Sequence, residues 1–190
     1  MEKSPLWGRQ WRGELKVKSF KGMTCSIAGA LEWVGDRWTM LLLRDLFLGL
    51  SRFEEFRESI DIPPTTLSDR LKRLVEHGMV EKRPYQDNPP REEFVLTKKG
   101  RDFWPVMLSL AQWGDRYDAS GESAPPMRFV SRQTGDDVQL KLHCGNDRSS
   151  ITPSDIRAVA GPAADEKIHW RLEQARTHNQ RRKSGALDAG

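Results

Sequence analysis

The segment from Pro64 to His77 carries three hydroxyls (Thr65, Thr66, Ser68), one carboxylate (Asp69) and three long cations (Arg70, Lys72, Arg73) among four apolar residues, Leu67, Leu71, Leu74 and Val75. Wound as an α-helix at about 100° per residue, the apolar four fall on one stripe. Thr65, Thr66, Asp69, Lys72 and Arg73 lie opposite that stripe, and Ser68 and Arg70 flank it. Such groups hydrogen-bond to base edges and phosphates when a helix N-terminus enters a major groove. The first turn adds unpaired backbone N–H groups and a positive dipole suited to phosphate. Most charged helix faces only solvate, so the chemistry depends on what precedes and follows this helix.

Other reactive residues point less far. Cys25 stands just before an expected helix start, where the dipole lowers a thiol pKa, and is a redox candidate. No basic neighbour in sequence would stabilise its thiolate, so a small buried cap residue is the favoured reading. His143 and Cys144 lack a partner pair at the spacing of a four-ligand zinc site, so neither a metal nor any other cofactor is expected. The histidines (His77, His143, His169, His178) fall in no catalytic motif. Glu54-Glu55 and Asp136-Asp137 are adjacent pairs that do not converge on one point. There is no Gly-rich phosphate loop and no Gly-x-Ser-x-Gly. The chain does not read as an enzyme.

The elements around Pro64–His77 give it a context. Ile27, Ala30, Leu31 and Val34 recur at helical spacing and predict a helix over Ser26–Val34, stopped by Gly35. Asp36 caps a second helix, Arg37–Leu48, apolar almost all round and therefore a core helix, ending at Gly49. A short third helix covers Phe53–Ser59. After the turn Ile60–Pro63, Pro64 opens the fourth helix, which stops at Gly78. Val80–Arg83 and Glu92–Leu96 read as short strands around a loop, Pro84–Arg91, that carries Arg83 and Arg91 at its ends. Thr97 caps a last helix reaching about Tyr117, kinked at Pro105. Helix, helix, turn, helix, strand, wing, strand, helix is the winged helix-turn-helix order. The fold expected is mainly α with a small β part (α+β), a winged helix-turn-helix with a C-terminal hairpin and helix extension.

The division expected is an N-terminal arm over 1–24, a winged unit over 25–118, a Pro- and small-residue-rich linker over 119–126, an extension over 127–183 and a tail over 184–190. In the extension, Arg128–Arg132 and Val138–His143 read as a hairpin turned at Thr134–Asp137, followed by a helix near 164–182. The chain has 190 residues and 31 Lys+Arg against 27 Asp+Glu. The surplus is in the ends: +4 in residues 1–24, −2 in 25–118, zero in 119–163 and +2 in 164–190. Whole-chain charge therefore says little about nucleic acid, and local clustering must carry that argument. No apolar run is long enough for a membrane span, and residues 1–24 have no apolar core of a secretory signal. Two cysteines, Cys25 and Cys144, make no disulfide framework. A soluble cytoplasmic protein is the expectation.

The residues also carry a family pattern: Cys25-Ser26-Ile27, Ala30-Leu31-Glu32, Gly35-Asp36-Arg37-Trp38-Thr39, Leu42-Leu43-Arg44-Asp45-Leu46, Arg52-Phe53-Glu54-Glu55-Phe56, Leu67-Ser68-Asp69-Arg70-Leu71-Lys72, Gly78-Met79-Val80, Pro89-Pro90-Arg91-Glu92-Glu93-Phe94, and Leu96-Thr97 with Gly100. Over about Cys25–Tyr117 the chain resembles the HxlR-type bacterial transcription regulators. The resemblance implies a homodimeric winged helix-turn-helix that binds double-stranded promoter DNA, and it favours a repressor over an activator. Carried over by motif, Ser68, Arg70 and Lys72 become DNA contacts, Arg37 and Arg52 phosphate contacts, and Arg91 the wing arginine. Cys25 matches the cysteine that in some members senses electrophiles or oxidants. The long basic arm and the extension depart from the simplest members.

Together these readings predict two copies of the Pro64–His77 helix on a pseudo-palindromic site. Arg37, Arg52, Arg83 and Arg91 would fix position, and Thr65, Thr66, Ser68, Asp69, Arg70, Lys72 and Arg73 would face the duplex. The apolar arc near Pro105 is wider than one domain needs, and Phe103, Trp104, Met107, Leu108 and Ala111 are the expected dimer contacts. A small-molecule effector against the dimer helix is a further expectation. The competing readings are a winged-helix protein-interaction module that binds no DNA, and a thiol redox sensor acting through Cys25.

Overall fold

The computed structural model describes residues 19–145 and 149–187, with side chains as far as Asn179. The expected arm, 1–24, lies outside the described residues up to position 18, and so do the side chains of the expected tail, 184–190.

Local chemistry sets the first three helices. Helix α1 (Ser26–Val34) ends where the Gly35 N–H donates to Leu31 O at 2.8 Å. Helix α2 (Arg37–Leu48) is capped by the Asp36 carboxylate, which accepts from Trp38 N at 3.1 Å and Thr39 N at 3.2 Å. Gly49 closes α2 at φ +102°, a conformation that costs glycine little. Helix α3 (Phe53–Ile60) starts where Glu55 accepts from the backbone N–H groups of Ser51 and Arg52. Asp61 turns the chain in a left-handed conformation, and Pro64 opens helix α4 (Pro64–Glu76). One core joins them: Leu42 and Leu43 of α2, Phe56 of α3 and Leu67, Leu71 and Leu74 of α4 are all buried. The α4 stripe is the one the sequence implied, since burying Leu67, Leu71 and Leu74 leaves the polar positions outside.

Strands β1 (Val80–Asp87) and β2 (Pro90–Leu96) pair antiparallel from Val80↔Leu96 to Asp87↔Pro90. The expected loop Pro84–Arg91 is therefore mostly strand, turned at Asn88-Pro89. Proline is tolerated here because a two-stranded ribbon is all edge, and the register shifts between Pro84 and Gln86. The root of this wing is pinned to the core by Val80, Met79 and Phe94, with Phe56 and Phe94 in edge contact at 6.4 Å.

The expected single helix after Thr97 is two. Helix α5 (Lys98–Arg101) is capped by the Thr97 hydroxyl, which accepts from Gly100 N at 3.2 Å. Helix α6 (Trp104–Arg116) begins afresh with Pro105 in its first turn. Pro105 has no N–H for the carbonyl four residues back, and here the missing bond breaks the helix instead of kinking it.

The extension also differs from expectation. Around Thr134–Asp137 the chain does turn, with Val138 N donating to Phe129 O at 2.8 Å, but only the bridge Val130↔Asp137 forms. The paired strands lie later, β3 (Leu142–Cys144) against β4 (Ser149–Ile151). Gln112 of α6 offers its amide to this segment, donating to Val138 O at 2.7 Å and accepting from Leu140 N at 3.2 Å. That side-chain bridge takes hydrogen bonds a second strand would have made. Helix α7 (Glu166–Leu187) closes the fold.

Helix α1 covers the expected residues but leaves part of its apolar face open. Val34 and Ala28 are buried, whereas Ile27 and Leu31 are 72% and 46% exposed. Its apolar spacing marks a face that this protomer leaves uncovered.

Candidate nucleic-acid interface

Ser68, Lys72 and Glu76 of α4 line one cleft with Lys82 and Phe94 of the wing. Thr65, Ser68, Asp69 and Lys72 are exposed, and Thr66 is half-buried. Lys72 lies 3.7 Å from Glu76, one turn on. Arg37 is exposed at the first position of α2, and Arg91 is exposed on β2. Neither has an ion-pair partner among the described residues, so neither charge is neutralised by a neighbour there. Arg83 sits 3.6 Å from Glu81 on the same strand, both well exposed, a pair that contributes little. Arg52, ahead of α3, stacks on Tyr85 with its guanidinium 4.6 Å from the ring centre. The contact orients a cation on the flank of the wing without neutralising it.

Arg70 and Arg73, also expected to face the duplex, make contacts within the protomer. The Arg70 side chain donates to Asp36 at 2.9 Å and also pairs with Asp69. The Arg73 guanidinium donates to the carbonyl of Glu32 at 3.0 Å. Both side chains turn back to the α1–α2 corner, where one meets the helix cap and the other takes up a free C-terminal carbonyl. They hold α4 in place. Their partners are 34 and 41 residues away, and helical periodicity has no access to such pairs.

Asp36 is thus shared between the cap of α2 and the flank of α4. Burial alone would push its carboxyl up; hydrogen bonds from the Thr39 hydroxyl, Arg70 and the Thr39 N–H outweigh this and hold it below the usual carboxylate range. Asp36→Ala removes a cap, about 1 kcal/mol, and leaves Arg70 half-buried without its partner, a penalty reduced by solvent because Asp36 is 32% exposed. The expected loss is about 2 kcal/mol at pH 7, read as a lower denaturant midpoint. The folded carboxyl titrates below the unfolded one, so its stabilisation is full above the ordinary carboxylate range and is lost as pH falls through the lowered value. The gap between wild type and Asp36→Ala therefore narrows in acid; a gap constant from pH 7 to pH 3 would exclude this role.

Cys25 is half-buried at the start of α1. The backbone N–H groups of Ala28 and Ile27 pull its thiol below the ordinary value, burial opposes them, and the charge of Arg171 on α7 assists. Arg171 is the basic neighbour that sequence reasoning missed; it is distant in sequence and no periodicity signals it.

The five residues expected at a dimer face turn toward the protomer itself. Leu108 is buried, Phe103 and Met107 pack on the core, Ala111 is half-buried, and Trp104 lies between Phe47 at 4.7 Å and Phe129 at 5.2 Å. The other side of α6 is open: Val106 and Leu110 are each 49% exposed and Trp113 58%. The arc on α6 was legible; which half faces inward depends on where Phe47 and Phe129 arrive. Among the described residues no group of three His, Cys, Asp or Glu side chains could hold a metal ion, and no helix is long and apolar enough to cross a membrane.

Comparison with known proteins places this geometry. Residues 33–122 match the HxlR-like helix-turn-helix family. The chain is 38% identical over 143 residues to an HTH-type transcriptional regulator of Mycobacterium tuberculosis, covering 75% of this chain and 90% of that one. It is 35% identical over 106 residues to one from Methanothermobacter thermautotrophicus, covering 53% and 81%. Among solved structures, the transcription factor PA1607 superposes with a TM-score of 0.67 at 36% identity, over 76% of this chain and 100% of that one. PA1374 from Pseudomonas aeruginosa gives 0.54 at 39% identity, over 78% and 100%. The chain belongs to the HxlR-like helix-turn-helix family: it is a transcriptional regulator with a winged helix-turn-helix DNA-binding domain.

Proposed function

We propose that the protein is a repressor that grips a pseudo-palindromic promoter site as a homodimer. Residues 25–118 act as the DNA-binding unit and 127–183 as an appended extension. Helix α4 of each copy enters the major groove, with Thr65, Thr66, Ser68, Asp69 and Lys72 toward the bases. Arg37, Arg52, Arg83 and Arg91 rest on phosphates, while Arg70 and Arg73 hold α4 at its angle. The observation that carries this reading is the exposed polar face of α4 over its buried Leu67-Leu71-Leu74 stripe, together with exposed Arg37 and Arg91. The test is a gel shift on the protein's own upstream DNA. Ser68→Ala with Lys72→Ala is expected to weaken that binding roughly tenfold to a hundredfold, since a hydrogen-bonded side chain on a base edge is worth about 1–3 kcal/mol. Unchanged affinity would remove α4 from recognition and favour a protein-interaction role.

The open faces of α1 (Ile27, Leu31) and α6 (Val106, Leu110, Trp113) are the surfaces a second copy would cover.

A second reading, thiol-responsive regulation through Cys25, is favoured by its lowered thiol pKa at the α1 start. Alkylation by iodoacetamide is then expected to reach half its maximal rate at a lower pH than for a free cysteine, and Arg171→Ala to move that midpoint up. Coincident profiles would exclude an activated thiol. A small-molecule effector remains part of the proposal only through this responsiveness; no residue is assigned to it.

A further inference from the structure

Tyr85 is the extra residue of a bulge in the wing. The pairing of β1 with β2 runs evenly from Val80↔Leu96 to Pro84↔Glu92 and resumes at Gln86↔Arg91, so Tyr85 has no partner on β2. A bulge of this kind sharpens the local twist and re-aims the side chain of the inserted residue. The Tyr85 ring lies under the Arg52 guanidinium, whose carbon is 4.6 Å from the ring centre. Arg52 precedes α3 and stands at the opposite edge of the ribbon. There the carbonyl of Ser51 accepts from Phe94 N of β2 at 2.7 Å, and the Ser51 hydroxyl donates to Glu93 at 3.2 Å. The start of α3 is therefore tied to β2 at Phe94 and Glu93 and to β1 at Tyr85. Beyond the hairpin's own pairing, Arg52 over Tyr85 is the one hydrogen bond, ion pair or ring contact among the described residues that joins positions 85–91 to the body of the protein.

We infer that Tyr85 is a positioning residue for the wing: its ring latches the outer half of the hairpin to the start of α3 through Arg52, and so sets where Arg91 meets the duplex. This rests on the DNA-binding reading above and adds to it a coupling between two of its phosphate contacts. The physical reason is that a two-stranded ribbon has little rigidity of its own. Its root is fixed by Val80 and Phe94 in the core, but each residue further out adds freedom that binding must remove. An aromatic face holds a guanidinium without cancelling its charge, so Arg52 serves the latch and still presents a cation to phosphate. A carboxylate at position 85 would also hold Arg52, but it would neutralise the cation and repel the backbone of the duplex.

The test uses the full chain with Tyr85→Leu and Tyr85→Phe, alone and each combined with Arg91→Gln. Binding is measured by fluorescence anisotropy on the protein's own upstream DNA. Tyr85→Leu is expected to lower affinity roughly fivefold to twentyfold, because an exposed contact of this kind is worth about two- to fivefold and the proposed dimer carries it twice. Tyr85→Phe keeps the ring and is expected to stay within about twofold of wild type. Arg91→Gln is expected to cost affinity in the wild-type and Tyr85→Phe backgrounds and much less beside Tyr85→Leu, because an unlatched wing no longer brings that cation to its phosphate. Hydroxyl-radical footprints of Tyr85→Leu lose the protection under the wing and keep that under α4. Additive losses for Tyr85→Leu and Arg91→Gln would overturn the inference, as would equal losses from Tyr85→Leu and Tyr85→Phe. Tyr85 is 37% exposed, so the melts of these variants should agree within about 2 °C. If Tyr85→Leu melts lower than that, Arg52→Gln breaks the latch from the α3 side. Protection is then expected to disappear under the wing as well as at the phosphate met by Arg52, and loss at that phosphate alone overturns the inference. If the wild-type chain binds no upstream DNA, the DNA-binding reading itself falls. If it binds and Tyr85→Leu matches it in affinity and footprint, only the latch does.

Discussion

Leu110→Asp is expected to turn a particle of about 44 kDa into one of 21.8 kDa and to reduce binding to the upstream site at least a hundredfold. Leu110 sits on the open side of α6, with Val106 and Trp113 on either side of it. In the proposed dimer this position is buried twice over, once in each copy. A carboxylate there must be desolvated with no partner in reach, at a cost of several kcal/mol per copy. Losing the dimer removes the gain from holding two half-sites at once, a factor of about 10² or more. In the protomer the same side chain is 49% exposed, so the substitution leaves folding nearly untouched, within about 0.5 kcal/mol. Light scattering, the gel shift and a denaturant melt read these three effects separately. A particle that stays at twice the chain mass would show that copies meet elsewhere.

Gly100→Ala is expected to lower the melting temperature by about 6–12 °C, the equivalent of roughly 3 kcal/mol for a chain of this size. Gly100 is buried in α5 beneath the root of the wing. An added Cβ would stand 2.1 Å from the carbonyl oxygen of Met79 and 2.9 Å from Leu96 Cδ2. The first of these is backbone and cannot swing away. That carbonyl already accepts from Thr97 N at 3.0 Å, so displacing it loosens the cap of α5 together with the base of β1. In the proposed complex the wing carries Arg91 and Arg83 toward the duplex, and a shift at its root moves both. Calorimetry checks the figure; a melt within about 2 °C of wild type would mean that the hairpin root moves aside at little cost.

Much of this molecule was legible from local rules. The helix over Arg37–Leu48 follows from the Asp36 cap, the apolar run and the Gly49 stop. The α4 stripe follows from a period of about 3.6, and the order of elements leads to the winged helix-turn-helix. The errors lie where local rules give no single answer. Prolines at 84 and 90 read as loop, yet a two-stranded ribbon accepts them because half its backbone groups need no partner. Pro105 read as a kink and proved to be a break. Helix α1 showed an apolar face at the right spacing, but spacing does not say what covers it, and Ile27 remains 72% exposed in the protomer.

The first four helices, their caps and the apolar side of α4 could be read from the residues, because these depend on groups within about four positions of one another. The contacts of the long cations could not be read that way. Arg70 and Arg73 share a helix with Ser68 and Lys72 and look equally available in sequence. They are bound by Asp36 and by the Glu32 carbonyl, groups that arrive from the α1–α2 corner. The same holds for Arg171 beside Cys25 and for the half of α6 that Phe47 and Phe129 cover. A long flexible side chain takes whichever partner lies within its reach, and that partner is fixed by packing across the core, which local sequence periodicity does not encode.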